Sequence, residues 1–321
     1  MNKKVVVFSQ IDPEILGRLQ AQYDVVVIDP KQGDVNQQIQ QHVQDADGMI
    51  GAGRLLNQSN LATAKQLKII SSVSVGYDNY DVAYLNQKNI WLSHTPHVLT
   101  ETTADLAFTL LMSAARKVPY LDHWTKTGEW KRTVSQAQFG QDIYGKTLGI
   151  IGLGNIGAAI ARRGLYGFNM NILYHNRHEK LEMAQPLNAQ YCSLEQLLQQ
   201  SDFVVVAVDL NAESKALLST EQFELMQSHA VLVNIARGSV IDEQALIQAL
   251  KDRKFFAVGL DVYEKEPLQT SELFQLDNVV TLPHVGSATA ETRKKMVELA
   301  YRNLVDALEG RQPRYLVNPE Y

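Results

Sequence analysis

Three glycines define the first chemistry legible in this chain. Gly152-Leu153-Gly154-Asn155-Ile156-Gly157 follows directly on the apolar run Thr147-Ile151 and precedes a helical stretch read as beginning near Ala158. Between a strand and a helix this spacing makes a dinucleotide cradle. Gly152 permits the tight turn, Gly154 lets the backbone approach a pyrophosphate, and Gly157 lets helix and strand pack closely. N–H groups at the helix start then face the anion. The next run, Ile172-Tyr174, leads into His175-Asn176-Arg177-His178 with no acid at its end. An acid there would accept from a ribose 2′-hydroxyl, whereas Arg177 can make forked, charge-assisted bonds to a 2′-phosphate. NADP(H) is therefore preferred, and NAD(H) stays open because Glu179 lies only two residues further on.

Hydride transfer from a nicotinamide to a carbonyl needs a proton donor, and histidine is the side chain best poised for it near neutrality. Of the 8 histidines, His42 and His123 lie in polar helical stretches, His175 and His178 follow the ribose-side strand, and His229 precedes a strand; all five read as surface residues. His94 and His97, at the end of a strand, remain candidates. His284 is the strongest, because it comes immediately after the last strand of its series, and ligands of open α/β sheets gather beyond the carboxyl ends of strands. Two other strand ends carry reactive groups: Val231-Ile235 runs into Ala236-Arg237-Gly238, and Phe256-Leu260 runs into Asp261 and on to Glu266-Pro267.

The elements that position these residues are short Val- and Ile-rich runs separated by stretches of helical spacing, the pattern of buried parallel strands. The first series is Lys4-Phe8, Asp24-Ile28, Gly48-Ile50, Leu67-Val73 and Ile90-Leu92, with Asp12-Pro13-Glu14 reading as a capped helix start. Glu101 to Lys117 has uninterrupted helical spacing and reads as a buried helix connecting two domains. The second series is Thr147-Ile151, Ile172-Tyr174, Phe203-Val208, Val231-Ile235, Phe256-Leu260 and Val279-Leu282, which predicts a doubly wound sheet. A last helix spans Ala290 to Glu309 and stops at Gly310.

The 321 residues suffice for two packed cores. A formal charge of -5 leaves no basic surplus for nucleic acid or an anionic membrane, and no apolar run approaches the ~20 residues of a membrane span. One cysteine, Cys192, permits no internal disulfide, and the start Met1-Asn2-Lys3-Lys4 does not read as a secretory signal, so a reducing cytoplasm is expected. Tyr84-Leu85-Asn86-Gln87-Lys88 has the Tyr-x-x-x-Lys spacing of a short-chain dehydrogenase but precedes the glycine loop, where that family places it well after. One Cys with His94 and His97 does not make a catalytic zinc set, and no metal is expected.

Four segments in order, Gly152-Gly157, Asn234-Ile235-Ala236-Arg237-Gly238, Gly259-Leu260-Asp261-Val262-Tyr263-Glu264-Lys265-Glu266-Pro267 and Pro283-His284-Val285-Gly286-Ser287-Ala288-Thr289, resemble the D-isomer-specific 2-hydroxyacid dehydrogenase family over essentially the whole chain. Ser74-Val75-Gly76-Tyr77-Asp78-Asn79, Thr95-Pro96, Leu99-Thr100-Glu101-Thr102 and Tyr174-His175-Asn176-Arg177 are most similar to its glyoxylate/hydroxypyruvate reductases, including the kind that also reduces 2-ketogluconate. The resemblance implies a catalytic set of Arg237, Glu266 and His284. A guanidinium can grip the carboxylate of a 2-oxo acid and polarise its carbonyl, and a carboxylate beside His284 would stabilise the imidazolium that donates the proton.

With the resemblance, the cofactor-contacting residues become Gly152, Gly154, Asn155, Ile156, Gly157, Asn176, Arg177, Ala236, Asp261, as acceptor from the nicotinamide carboxamide, and Thr103. A local hydrogen bond at the helix N-terminus is an equal reading of Thr103. Val75, Gly76, Arg237 and Ser287 become the substrate-contacting residues. The implied fold is a flavodoxin-like substrate domain, residues 1–97 and 288–321, with a Rossmann dinucleotide-binding domain, residues 98–287, inserted in it and a cleft between them. A homodimer built on the long helix is also implied, with Trp124 and Trp130 fitting either interface or core. Relatives that act as nucleotide-sensing corepressors with the same three residues, or dehydrogenases of other substrate preference, are the alternatives.

Overall fold

The structure, a computed structural model, describes residues 2–319. Met1 and residues 320 and 321, which the sequence reading assigned to the ends of the substrate domain, lie outside the described residues. The chain forms two compact units, one running to Leu99 and resuming at Ala288, the other spanning Thr100–Ser287.

The first unit holds a parallel sheet of β1 (Lys4–Val7), β2 (Asp24–Val27), β3 (Gly48–Gly51), β4 (Ile69–Ser72) and β5 (Trp91–Ser93) in the order β2-β1-β3-β4-β5, the flavodoxin-like arrangement. β3 and β4 are buried along their whole length. The helix Pro13–Gln20 starts where expected: the Asp12 carboxylate accepts from Glu14 N–H at 2.9 Å, and proline occupies the first turn, where a missing N–H costs nothing. The last helix, Ala290–Leu308, lies against β3 and β4. Gly48 is a glycine because of it, since a Cβ there would stand 2.7 Å from Leu304 Cδ1.

The second unit holds seven parallel strands: β6 (Thr147–Ile151), β7 (Asn171–His175), β8 (Gln190–Tyr191), β9 (Phe203–Val206), β10 (Val231–Asn234), β11 (Ala257–Leu260) and β12 (Val279–Thr281). Their order is β12-β11-β10-β9-β6-β7-β8. The chain winds outward from β6 in both directions, which makes the β6/β9 boundary the topological switch point of a doubly wound Rossmann-type sheet. β8 escaped the sequence reading because it is a two-residue, exposed edge strand with no apolar run. The helix Thr100–Ala115 buries Ala104, Ala107, Phe108, Leu110, Leu111 and Ala114, and packs on β10 and β11. It stops two residues short of the expected Lys117, which adopts a left-handed backbone.

Candidate active site

At the end of β6, Gly152 has φ +103°, and a Cβ on it would stand 2.6 Å from Ala207 O. Only glycine holds this turn without strain. Gly157 is packed so tightly that its Cβ would lie 2.2 Å from Gly152 O, whereas nothing lies within 4 Å of the Cβ position of Gly154. The helix begins at Asn155, not near Ala158, because Gly154 serves as its N-cap. No side chain caps that end, and Gly154 and Asn155 are exposed, so the first-turn N–H groups form the rim of an open cradle. This opening, closed by glycines on either side, fits a pyrophosphate.

Asn176 braces the cradle: its Oδ1 accepts from Leu153 N–H at 2.7 Å, and its carbonyl accepts from Tyr191 Oη–H at 3.0 Å. Arg177 is exposed, and its Nη1 lies 2.8 Å from Glu213 Oε2, a partner the sequence reading did not identify. His175, read as a surface residue, is only partly exposed, with Nδ1 3.0 Å from the Cys192 carbonyl. His229, read the same way, pairs with Asp202 at 2.7 Å.

Three consecutive strand ends in this unit build the second cluster. At the last residue of β10, the buried Asn234 side chain accepts from Ala236 N–H and donates to Arg237 O, both at 3.0 Å, clamping the turn that carries Arg237. Arg237 donates through Nη1 to the carbonyl of the buried Ala236 at 2.8 Å. The next residue, Gly238, touches the loop after β11 so closely that a Cβ would fall 1.8 Å from the Tyr263 carbonyl carbon. In that loop Tyr263 N–H donates to Glu266 Oε1 at 3.0 Å, and the other carboxylate oxygen lies 2.6 Å from His284 Nδ1. Tyr263 also reaches the residue that follows β12, donating its hydroxyl to Leu282 O at 2.8 Å.

His284 adopts φ +53°, a left-handed conformation that costs a non-glycine residue roughly 1–2 kcal/mol. Bonds on its C-terminal side hold it there. Asp261, 2% exposed, accepts from Val285 N–H through Oδ1 at 2.7 Å and from Gly286 N–H through Oδ2 at 2.8 Å. The buried Thr103 hydroxyl donates to Gly286 O at 3.1 Å, tying the helix Thr100–Ala115 to the histidine loop. Ser287 ends this unit directly beyond that loop.

The charges follow from these contacts. Partial burial pushes the Glu266 carboxyl up, but the bonds from His284 and Tyr263 N–H, with the charges of His284 and Arg237, outweigh it and leave the group below the usual carboxylate value. Glu266 is thus an anion near neutrality, and the hydrogen on His284 Nδ1 points at it. Asp261 shifts the other way, because burial outweighs its two backbone donors and the charge of His284. Burial pushes the Tyr263 phenol up to about 12, so it stays a donor.

Val75 and Gly76 belong to the first unit, in the loop after β4. Ser74 Oγ donates to Gly76 O at 2.7 Å, and His94 Nδ1 lies 2.9 Å from Val75 O. His94 therefore braces that loop. His97 has φ +68° and its ring stands 5.9 Å from that of Tyr315. Among the described residues no group of three or more His, Cys, Asp or Glu could hold a metal ion, and no helix is long and apolar enough to cross a membrane. Asn234, Tyr263 and Glu213 were the functional neighbours that sequence reasoning left without a role. The first two sit inside quoted motifs, whereas nothing in the chain's order joins Glu213 to Arg177.

Residues 108–286 match the family model described as D-isomer specific 2-hydroxyacid dehydrogenase, NAD binding domain. The glyoxylate/hydroxypyruvate reductase B of Citrobacter koseri is 42% identical over 321 residues, covering 100% of this chain and 99% of that protein. Among solved structures, the TT0316 protein from Thermus thermophilus is 37% identical with a TM-score of 0.88, over 98% of this chain and 99% of that one. An NADPH-dependent glyoxylate/hydroxypyruvate reductase from Sinorhizobium meliloti, solved with NADP and malonate, is 31% identical with a TM-score of 0.87, over 99% of this chain and 97% of that one. With its full-length relatives, its two parallel sheets and the ordered motifs at the strand ends of the second, the chain belongs to the D-isomer-specific 2-hydroxyacid dehydrogenases.

Proposed function

We propose that this protein reduces small 2-oxo acids, glyoxylate and hydroxypyruvate first and 2-ketogluconate as a further candidate, to D-2-hydroxy acids, with NADPH preferred over NADH. The observation that carries the reading is the Glu266–His284 contact of 2.6 Å at the strand ends that also deliver Arg237. The names of the relatives from Citrobacter koseri and Sinorhizobium meliloti support the substrate class. In this reading Thr100–Ser287 is the nucleotide-binding unit and the remainder the substrate unit. The protein works as a homodimer.

A nicotinamide nucleotide, when bound, supplies the hydride. Gly152, Gly154 and Gly157, with the N–H groups of Asn155 and Ile156, would hold the pyrophosphate, and Arg177, beside Asn176, would take the 2′-phosphate. Ala236, Asp261 and Thr103 would contact the nicotinamide, and Val75, Gly76 and Ser287 would be the candidates for substrate contact. Arg237 binds the substrate carboxylate and polarises the adjacent carbonyl. His284 delivers a proton from Nε2 to the carbonyl oxygen, while Glu266 keeps the Nδ1 hydrogen and offsets the charge of the imidazolium. In the reverse direction the same nitrogen takes the proton back.

The test is loss of NADPH absorbance on adding glyoxylate or hydroxypyruvate. Turnover that falls by roughly 10²–10⁴ in His284→Ala, with NADPH binding kept, is expected. Tight nucleotide binding without turnover would replace the enzyme by a nucleotide sensor, and an unchanged kcat in the variant would remove His284 as the acid.

A further inference from the structure

Dinucleotide-binding units commonly carry an acid at the end of the second strand that accepts from the ribose 2′-hydroxyl. Along this chain that place is taken by Asn176 and Arg177. In space, a carboxylate arrives from another loop. Glu213 follows β9, which flanks β6 on the side away from β7, and its Oε2 stands 2.8 Å from Arg177 Nη1. The loop that presents it is stiff: Asn211 Oδ1 accepts from the N–H groups of Glu213 and Ser214 at 2.9 and 3.1 Å, and Ser214 Oγ donates to Asp209 O at 2.7 Å.

Both partners are largely exposed, with side chains 69% and 66% accessible, so the ion pair is screened and readily exchanged. Its position at the end of β7 matters more than its strength. We propose that Glu213 is a nucleotide-specificity residue: it supplies the missing acid for the ribose 2′-hydroxyl of NADH and competes with the 2′-phosphate of NADPH for Arg177. The inference rests on the reading of Arg177 as the phosphate partner. When the 2′-hydroxyl is free, Arg177 holds Glu213 in place to accept from it. When a phosphate occupies that oxygen, the carboxylate is displaced from the guanidinium and meets a like charge. The pair therefore narrows the gap between the two nucleotides that Arg177 alone would open.

Dissociation constants for NADPH and NADH, measured by fluorescence titration of the full chain and its Glu213→Gln and Arg177→Ala variants, test the two statements separately. Glu213→Gln is near-isosteric at an exposed site and leaves the fold intact. It is expected to tighten NADPH and weaken NADH, each by about three- to fivefold, the scale of an exposed ion pair. Arg177→Ala is expected to weaken NADPH tenfold or more, on the order of a charge-assisted phosphate contact, and NADH by at most the three- to fivefold that follows from losing the hold on Glu213. Constants that stay put, or that move in the same direction for both nucleotides, in Glu213→Gln overturn the role of Glu213 even where Arg177→Ala behaves as expected. Equal loss of both nucleotides in Arg177→Ala sinks the underlying reading instead.

Discussion

His284 is held from both sides by groups with opposite titration behaviour. Glu266, on its Nδ1, is depressed and so contributes stability that is present above the ordinary carboxylate value and lost as pH falls through the lower folded one. Asp261, under the backbone beyond it, is raised, so its term is fully present at low pH and fades as pH rises from the ordinary value through the folded one. In Glu266→Gln only the second term survives. Thermal melts across the acid range should show the wild type losing stability toward low pH more steeply than the variant, and kcat at neutral pH should drop about tenfold to a hundredfold as the imidazole loses its anionic partner. Parallel melting curves would mean that Glu266 is a solvated acid with no hold on the ring. His284 itself was legible from its place after a strand, and Arg237 and Glu266 from the motifs around them. The roles of Tyr263 and Asn234 were not, because a hydroxyl that bridges two loops and an amide that closes a turn leave no mark in spacing.

At the level of elements, the site exists because the loops after β10 and β11 press together at Gly238. No rotamer can relieve a methyl placed 1.8 Å from a backbone carbon, so Gly238→Ala must part the two loops. A loss of about 1–3 kcal/mol in urea unfolding, together with a large fall in kcat, is expected. Gly154→Ala is the contrast: the space around it is open, so stability should hold within about 0.5 kcal/mol while nucleotide affinity drops as the methyl enters the cradle. Equal stability losses in both would contradict this division of labour. Sequence spacing identified Gly154 but gave Gly238, quoted only as part of a motif, no role, since the clash there involves a segment 25 residues away in the chain. The same limit explains the strands. Runs such as Thr147–Ile151 were legible from buried Leu and Ile, whereas β8, with Gln190 and Tyr191 exposed on the edge, carries no apolar signal.

For the whole molecule, the proposed homodimer can be tested at apolar side chains that the second unit leaves exposed. Met112, Val118, Trp130, Val134 and Phe139 are exposed, Trp130 by 59% and Phe139 by 56%, and large apolar groups left uncovered commonly mark partner surfaces. Trp130, which sequence alone left between interface and core, is not in the core of this chain. Sedimentation equilibrium should return twice the 36.0 kDa chain mass, with Trp130→Glu shifting the equilibrium toward monomer; a monomeric wild type at micromolar concentration would end the proposal. The strand series made both sheets legible, yet the long excursion of the chain between the two parts of the first unit has its own consequence during synthesis. The sheet of that unit is translated before the inserted unit, and Leu304, the partner for the gap above Gly48, after it. The inserted unit is contiguous and can mature while translation continues. While the inserted unit is being made, the sheet of the first unit still lacks the helix that covers β3 and β4, a window in which a chaperone would find its substrate.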